Sequence, residues 1–207
     1  MSGAEALRKL ALGLMPAGYA CAVLPLTQEP APLLPAEAEA MARAVPKRRR
    51  EFALGRMALR AAIHAAGHDL PAARPIAMRP DRQPDLPPGI RASLSHSGDY
   101  CIAVAAPAGA PGPGVDLEPC DRAPPEGLGE MVMPWRTADE LPPLLAFCAK
   151  EAMFKAQYPL TGRMLDFRDV PLVLRGPRFR GCLGDRLIGG RWGRAAGCWL
   201  AISLWNG

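Results

Sequence analysis

The sequence predicts an α+β fold built from two halves of similar size, each with one long helix and several strands. Long helical patterns occur at 47–67 and 143–158, and short apolar runs of strand length accompany each of them. A segment rich in proline and glycine, 107–114, separates the two patterns near the middle of the 207-residue chain. We therefore expect an N-terminal half at 1–109 and a C-terminal half at 110–207.

The N-terminal half begins with an amphipathic segment, residues 1–17, which is either helical or loose. An apolar run of strand length follows at Tyr19–Leu26, and Ala36–Ala44 has the pattern of a short helix. The clearest helix covers 47–67, where Gly67 supplies the C-cap. The other strand-like runs of this half are 75–79, 92–95 and 100–106, the last two joined by the turn Ser97-Gly98-Asp99.

The C-terminal half opens with a strand that contains Gly114–Glu118. A proline-rich loop then leads to the helix at 143–158, which has a continuous apolar stripe. The remaining strand-like runs are Val170–Arg175, Arg178–Leu183, Arg186–Ile188 and Cys198–Trp205.

The composition is that of an ordinary globular protein with a mild excess of positive charge. The net charge is +5 and the isoelectric point about 9.1, which suits an anionic partner and is equally explained by solubility. None of the six cysteines forms a Cys-x-x-Cys pair or has a histidine at zinc-ligand spacing. Cysteines in apolar runs indicate a reducing compartment, and no stretch has the length of a membrane span. We therefore expect a cytoplasmic protein.

Two acidic motifs give the strongest indication of chemistry. Asp116 and Glu118 stand two residues apart on a predicted strand, so both carboxylates point to one face. Lys150, Glu151 and Lys155 lie on the predicted helix, with Glu151 and Lys155 one turn apart. Mg²⁺ takes one or two carboxylates together with substrate phosphate oxygens, and lysines supply charge to the rest. Phosphoryl transfer is the first hypothesis; the alternatives are a solvated pair on a surface strand and an exposed salt bridge on a helix.

The segment Ser93-Leu94-Ser95-His96-Ser97 groups hydroxyls around one of only three histidines. A histidine between two hydroxyls at the end of a strand offers several donors at one place, which suits phosphate oxygens. The alternative is a structural or merely exposed histidine.

Arginines recur on one face of the 47–67 helix. Arg49, Arg56 and Arg60 fall within about 20° of a common direction at 100° per residue, and Gly55 would let an anion approach the backbone closely. The stripe predicts an anion site. The alternatives are a solvated basic face and a nucleic-acid-binding patch, although no known nucleic-acid motif surrounds it.

Four motifs follow one another along residues 45–170. They are Arg-Glu-Phe-x-x-Gly-Arg at 50–56, Ser-Leu-Ser-His-Ser at 93–97, Gly-Val-Asp-Leu-Glu at 114–118 and Phe-x-Ala-Lys-Glu-x-x-Phe-Lys-Ala-x-Tyr-Pro at 147–159. In this order and at these intervals they resemble the 4′-phosphopantetheinyl transferases of the Sfp type, most closely the enterobactin-synthase (EntD-like) branch. The resemblance implies an α+β fold of two halves related by pseudo-twofold symmetry, with coenzyme A and Mg²⁺ bound between them.

The same resemblance implies an enzyme, a holo-acyl-carrier-protein synthase. It would move 4′-phosphopantetheine from coenzyme A to a serine of an apo acyl, peptidyl or aryl carrier protein and release adenosine 3′,5′-bisphosphate. Carrier proteins of this type are acidic, which would give the positive net charge a use in steering their encounter. The EntD-like branch serves siderophore biosynthesis, and the two-halves architecture allows a monomer.

Roles for individual residues also follow from the resemblance. Asp116, Glu118 and Glu151 would be the metal ligands. Glu151 would also lie near the incoming serine as a candidate base, and Lys155 would contact the pyrophosphate and the leaving group. Asp116, Glu151 and Lys155 are therefore the expected catalytic residues.

Coenzyme A binding is implied for a larger set of residues. Ser95 and His96 would bind its phosphates, and Arg49 or Arg56 would lie near the 3′-phosphate. The expected coenzyme-binding residues are Arg49, Arg56, Arg82, Ser95, His96, Lys150 and Lys155.

Two positions depart from the family pattern. Phe147 stands where many members have tryptophan, although the EntD-like branch tolerates phenylalanine. Arg82-Gln83-Pro84 stands where many members have Gly-Lys-Pro, so Arg82 or Arg79 would take the place of that lysine.

Two other functions remain open on the sequence. A nucleic-acid-binding module would use the basic helix at 47–60 and give the acidic residues no role. A magnesium-dependent phosphohydrolase would cleave coenzyme A or a nucleotide without a carrier protein. The transferase interpretation uses all four motifs, and it predicts no nucleic-acid partner and no membrane association.

Overall fold

The computed structural model describes residues 1–137 and 140–207 of the chain. The helices are α1 (Gly3–Leu14), α2 (Pro35–Ala40), α3 (Pro46–Ala65), α4 (Leu128–Met131) and α5 (Pro143–Thr161). The strands are β1 (Ala20–Pro25), β2 (Ala92–Ser97), β3 (Tyr100–Ala105), β4 (Gly112–Pro119), β5 (Trp135–Thr137), β6 (Leu172–Arg175), β7 (Arg178–Leu183), β8 (Arg186–Ala195) and β9 (Cys198–Trp205). None of the helices in these two ranges is both long and apolar enough to cross a membrane.

Two sheets confirm the predicted α+β class. The first has the order β1-β3-β2 and is antiparallel; the second has the order β4-β9-β8-β7-β6-β5, with only β5 and β6 parallel. Helix α3 packs on the first sheet and α5 on the second, so each sheet has its long helix. The described strands number three in one sheet and six in the other, and pseudo-twofold symmetry stays a prediction.

The predicted boundary at 109/110 falls in the turn between β3 and β4. Helix α1 belongs to the N-terminal half by sequence, yet it packs on strands of both sheets. Its residues Leu7 and Ala11 share one buried cluster with Leu117 and Leu200 of the second sheet. The division into two domains therefore stays a prediction, because the first helix links the halves through a common core.

Most predicted elements appear within a few residues of their expected bounds. Strands β7 and β9 match the prediction, and Gly67 ends α3 with a positive φ of 86°. The strand predicted at 75–79 is reduced to one β-bridge between Met78 and Pro84. Strand β8 was expected only at 186–188 and in fact continues to Ala195, because β9 pairs with it through a glycine-rich stretch that has no strand signature of its own.

The close approach of α5 to β4 depends on Gly114. A Cβ atom on this residue would stand 2.0 Å from the Ala152 carbonyl oxygen and 2.4 Å from the Ala156 nitrogen, both in the backbone of α5. Backbone atoms cannot rotate aside as a side chain can. Glycine at this position therefore sets the distance between the strand that carries Asp116 and the helix that carries Lys155.

Gly114→Ala should lower the free energy of unfolding by about 1–3 kcal/mol, because the added methyl group forces α5 away from the sheet. The measurement is urea unfolding followed by circular dichroism. Gly13→Ala is the matched control: a Cβ at Gly13 in α1 meets no atom within 4 Å, so alanine should stabilise by about 0.5–1 kcal/mol. Equal effects of the two substitutions would contradict the packing argument.

Candidate active site

A polar cavity opens where β2, β4 and α5 meet. Its volume is about 260 Å³, and we call it the carboxylate cavity. Its lining residues are Leu94, Ser95, His96, Asp116, Glu118, Phe147, Glu151 and Lys155. Seven positions that the sequence analysis identified in three separate motifs thus lie together, and they are Ser95, His96, Asp116, Glu118, Phe147, Glu151 and Lys155.

Serine hydroxyls from β2 orient the two carboxylates of β4. Ser95 Oγ donates to Asp116 Oδ1 at 2.9 Å, and Ser97 Oγ donates to Glu118 Oε2 at 3.2 Å. Because side chains two residues apart point to the same side of a strand, one face of β2 meets both acids. The contact also fixes the position of β4 relative to the N-terminal sheet.

Asp116 is buried and pairs with a lysine. Lys155 Nζ lies 2.6 Å from Asp116 Oδ1, and the Asp116 side chain is only 4% exposed. The second oxygen, Asp116 Oδ2, is buried and has no hydrogen-bond partner among the described residues. An unpartnered carboxylate oxygen in a dry site is costly, so this atom is well suited to receive a cation or a donor from a ligand.

Burial changes the acid–base behaviour of the residues around Asp116. It raises the pKa of Glu118 to about 7, helped by the neighbouring Asp116 carboxylate, and it also raises the pKa of Glu151. Burial alone would lower the pKa of Lys155, but the attraction and hydrogen bond to Asp116 together with the charge of Glu151 outweigh it, so that pKa is raised. Lys155 therefore stays charged near neutral pH, while Glu118 titrates in that range.

The three carboxylates suit Mg²⁺ only together with a ligand. Within 1–137 and 140–207, no three His, Cys, Asp or Glu side chains form a group that could hold a metal ion. Asp116, Glu118 and Glu151 nevertheless line one cavity, where Asp116 keeps its unpartnered oxygen. Mg²⁺ uses one or two protein carboxylates and completes its shell with phosphate oxygens and water. The donor set fits an ion that arrives with a polyphosphate.

His96 lies at the cavity beside two residues of α3. The Arg48 guanidinium donates to His96 Nε2 at 2.7 Å, and Glu51 Oε2 lies 3.7 Å from the same nitrogen. Because a guanidinium group only donates, Nε2 is the unprotonated nitrogen in this arrangement. Arg48 does not itself line the carboxylate cavity, but it contacts His96, which does.

The arginine stripe predicted as an anion site lies elsewhere. Arg56 is 5% exposed and donates to the carbonyl oxygens of Ile76 and Ala77, and burial lowers its pKa to about 10. Arg49 donates to carbonyl oxygens in the segment before α3, and Arg60 pairs with the buried Glu37 at 2.6 Å. These three arginines hold surrounding segments against the helix, and none of them lines the carboxylate cavity.

Lys150 and Arg82 also lie outside the carboxylate cavity. Lys150 is buried, and its Nζ donates to the carbonyl oxygen of Phe167 at 2.6 Å; burial lowers its pKa to about 8. Arg82 is exposed in a turn and has a positive φ of 68°. The structure thus brings together Ser95 and His96 with the acids, but not Arg49, Arg56, Arg82 or Lys150.

Sequence reasoning missed Arg48 and Glu51. The available signal was Gly55, which faces β2: a Cβ atom on this residue would lie 3.5 Å from Leu94 Cδ1, an ordinary van der Waals contact. Arg48, Glu51 and Gly55 are spaced i, i+3, i+7 and therefore share one helix face. The glycine marked the face that meets β2, whereas the Arg49 stripe marked a different one.

A second cavity adjoins the first across Glu151. Its volume is about 130 Å³, and we call it the apolar cavity. Its lining residues are Lys150, Glu151, Met153, Phe154, Met164, Leu165, Asp166, Phe167, Val170 and Leu183. A ligand with one charged end and one less polar end could occupy both cavities with its junction at Glu151.

Comparison with known proteins connects this geometry to one family. Residues 36–106 match the model of the 4′-phosphopantetheinyl transferase N-terminal domain. The chain is 40% identical over 155 residues to the 4′-phosphopantetheinyl transferase Svp of Streptomyces mobaraensis, covering 69% of this chain and 61% of Svp. It is 39% identical over 149 residues to PptT of Mycobacterium tuberculosis, covering 68% and 64%. It is 35% identical over 170 residues to Npt of Nocardia iowensis, covering 77% and 74%.

Glu118→Gln should change how stability depends on pH. The pKa of Glu118 is about 7 in the folded protein, against 4.5 for an unperturbed glutamate. The stability that this difference contributes is therefore complete below pH 4.5 and is lost as pH rises through 7. Residue 118 cannot titrate in the variant. The melting temperature of the variant minus that of the wild type should therefore increase from pH 4.5 to pH 8.

The measurement is thermal unfolding of both proteins in EDTA across that range. Glu126→Gln, at an exposed position, is the control and should show no such trend. A constant difference between Glu118→Gln and the wild type at all pH values would contradict the burial argument.

Proposed function

The chain belongs to the 4′-phosphopantetheinyl transferase family, and from this premise we propose that it transfers 4′-phosphopantetheine from coenzyme A to a serine of an apo carrier protein. The observation that carries the proposal is the Lys155–Asp116 pair, whose unpartnered Asp116 oxygen lies in one cavity with Glu118 and Glu151. The matched regions span only 61% of Svp and 64% of PptT. The proposed activity is therefore argued from the site as well as from the comparison.

Coenzyme A fits the two adjoining cavities by chemistry. Its pyrophosphate would lie in the carboxylate cavity, next to Lys155, Ser95 and His96. Its pantetheine arm carries no charge and would enter the apolar cavity. Its 3′-phosphate would lie near Arg48, whose guanidinium donates to His96 of the cavity lining.

The proposed reaction breaks the pyrophosphate of coenzyme A. The oxygen of the carrier serine forms a bond to the phosphorus that bears pantetheine, and the bond from that phosphorus to the bridging oxygen breaks. The serine proton goes to Glu151, whose raised pKa suits a general base. Adenosine 3′,5′-bisphosphate leaves with the electron pair, and the charged Lys155 stabilises the negative charge that develops on it.

Mg²⁺ is part of the proposal, with Asp116, Glu118 and Glu151 as the residues that would hold it. When bound, the ion would supply positive charge to the phosphates and align them for an in-line transfer. Protonated Glu118 would be a poor ligand, so metal binding should strengthen as pH rises through 7.

The finer assignments are also proposals. The four motifs and Phe147 support the Sfp type and its EntD-like branch, with a role in siderophore biosynthesis such as that of enterobactin. The partner would be an acidic apo carrier protein, and the protein would act as a cytoplasmic monomer. A nucleic-acid partner has little support, because Arg49, Arg56 and Arg60 already hold backbone carbonyls or Glu37.

The decisive experiment incubates the protein with coenzyme A, Mg²⁺ and a purified apo carrier protein. We expect the carrier to gain the mass of one phosphopantetheine. Glu151→Gln should lower turnover by roughly 10²–10⁴, the usual effect of losing a proton-transfer group, and leave the fold intact by circular dichroism. Cleavage of coenzyme A without a mass gain on the carrier would instead identify a phosphohydrolase, and full activity of Glu151→Gln would remove Glu151 from the mechanism.

Arg48→Ala should raise the KM for coenzyme A more than the KM for dephospho-coenzyme A, which lacks the 3′-phosphate. Arginine binds a terminal phosphate through paired donors. Losing one contact of this kind should therefore raise the KM for coenzyme A roughly ten times more than the KM for dephospho-coenzyme A. Lys47→Ala is the matched control, since it removes one positive charge from the neighbouring exposed position. Equal KM changes for both substrates would place the 3′-phosphate elsewhere.

A further inference from the structure

The last four strands carry a large net positive charge. Residues 170–207 contain six arginines and a single acid, Asp185, and therefore carry a net charge of +5. This equals the net charge of the whole chain, so residues 1–169 are balanced overall. Helix α3 carries the same net charge, from Lys47 and five arginines against the single acid Glu51, so what separates the two basic regions is whether their arginines already have partners.

A groove lies within this charged region, on β7 and β8. Its volume is about 320 Å³, larger than either cavity at the candidate active site, and we call it the arginine groove. Its lining residues are Arg178, Phe179, Arg180, Leu187, Ile188, Gly189, Gly190 and Arg191. Among the described residues, no acidic side chain lines it.

Strand register places the arginine groove on the face of the sheet opposite α5. Arg191 pairs across the strands with Arg178 and Ile202, so these side chains share a face. Ile202 packs in the cluster that α1 covers, and Arg191 donates to the carbonyl oxygen of Gly13 near the end of α1. The arginine groove therefore begins where α1 ends.

The candidate active site lies on the other face. Asp116 pairs across the strands with Ala201, and Ala201 packs in the cluster formed with α5. A ligand in the arginine groove and a substrate at Asp116 are thus on opposite faces of one sheet, and they can bind at the same time.

The guanidinium groups of Arg178 and Arg180 have no partner in the part of the chain that the structure describes: they make no hydrogen bond and no ion pair there. Both residues are exposed. Like charges close together on a sheet repel one another, and arginine supplies donors in a planar fork that matches a carboxylate. This contrasts with Arg50, Arg56 and Arg60 of α3, each of which has at least one partner within the protein.

We propose that the arginine groove binds an acidic, extended segment of a partner protein. Residues two apart on one strand project on the same face about 6.8 Å apart, so Arg178 and Arg180 match carboxylates at alternate positions of an extended peptide. The proposal is independent of the transferase function.

The surface chemistry favours a protein over a nucleic acid. Leu187 lines the groove on β8 and is 68% exposed, and Val173 on the neighbouring β6, which pairs with Arg180, is 51% exposed; both offer apolar contacts beside the arginines. No aromatic side chain is among the exposed large hydrophobic residues of the described chain, so this face lacks the stacking platforms on which single-stranded nucleic acid binds.

The test uses a fluorescein-labelled peptide of five Glu-Val repeats, with binding measured by fluorescence anisotropy on the full-length protein. The variant Arg178→Gln/Arg180→Gln should weaken binding about tenfold, as expected when charge-assisted hydrogen bonds are lost. The variant Arg43→Gln/Arg74→Gln removes the same charge from two exposed positions in the other half and should change the Kd less than twofold. Arg191 is left intact because it caps α1.

Each other outcome would overturn the proposal. Absence of saturable binding by the wild type, or equal weakening by the two double variants, would reduce the groove to a source of general positive charge. Tighter binding of a DNA duplex than of the peptide, lost in Arg178→Gln/Arg180→Gln, would assign the groove to a nucleic acid. A dimer of the wild type that this variant converts to a monomer, measured by light scattering, would assign it to a second copy of the chain.

Discussion

The contact between β2 and β4 is the interaction on which the rest of the structure depends. Both are edge strands of separate sheets, and side-chain hydroxyls join them: Val115 N donates to Ser93 Oγ at 3.1 Å, and Ser95 and Ser97 reach Asp116 and Glu118. A hydroxyl both accepts and donates, so one row of serines can satisfy a backbone amide and orient carboxylates. The same contact covers two sheet edges and builds one wall of the carboxylate cavity.

Burial gives this junction its chemical character. Asp116 is held by a serine and a lysine, and its remaining oxygen has no partner in the described chain. The two neighbouring carboxyl groups have raised pKa values because they are partly desolvated next to another negative charge. Such a site is unfavourable for the folded protein alone and becomes favourable when a cationic or donor group arrives, which is the usual compromise between stability and activity.

The arginines show how little charge alone says about function. Arg50 on α3 donates to the carbonyl oxygens of Leu26, Thr27 and Gln28, and Arg56 holds those of Ile76 and Ala77. These contacts attach irregular segments to a helix, because a guanidinium can satisfy several carbonyl groups at once. On β7, by contrast, Arg178 and Arg180 point into a groove lined by no acid in the described residues. The same residue type is structural in one half and available for binding in the other.

The sequence by itself determined the fold class, most of the element bounds and the acidic centre. Local periodicity places Asp116 and Glu118 on one strand face and Glu151 and Lys155 on one helix face, and these patterns survive in the tertiary structure. Spacing along one element fixes which side chains share a face, but it does not say which face meets another element. Only the tertiary structure decided that Gly55 rests on β2 and so brings Arg48 to His96, that Arg56 is buried, and that β8 runs through a glycine-rich stretch. These outcomes depend on contacts between segments far apart in the chain, and no single segment encodes them.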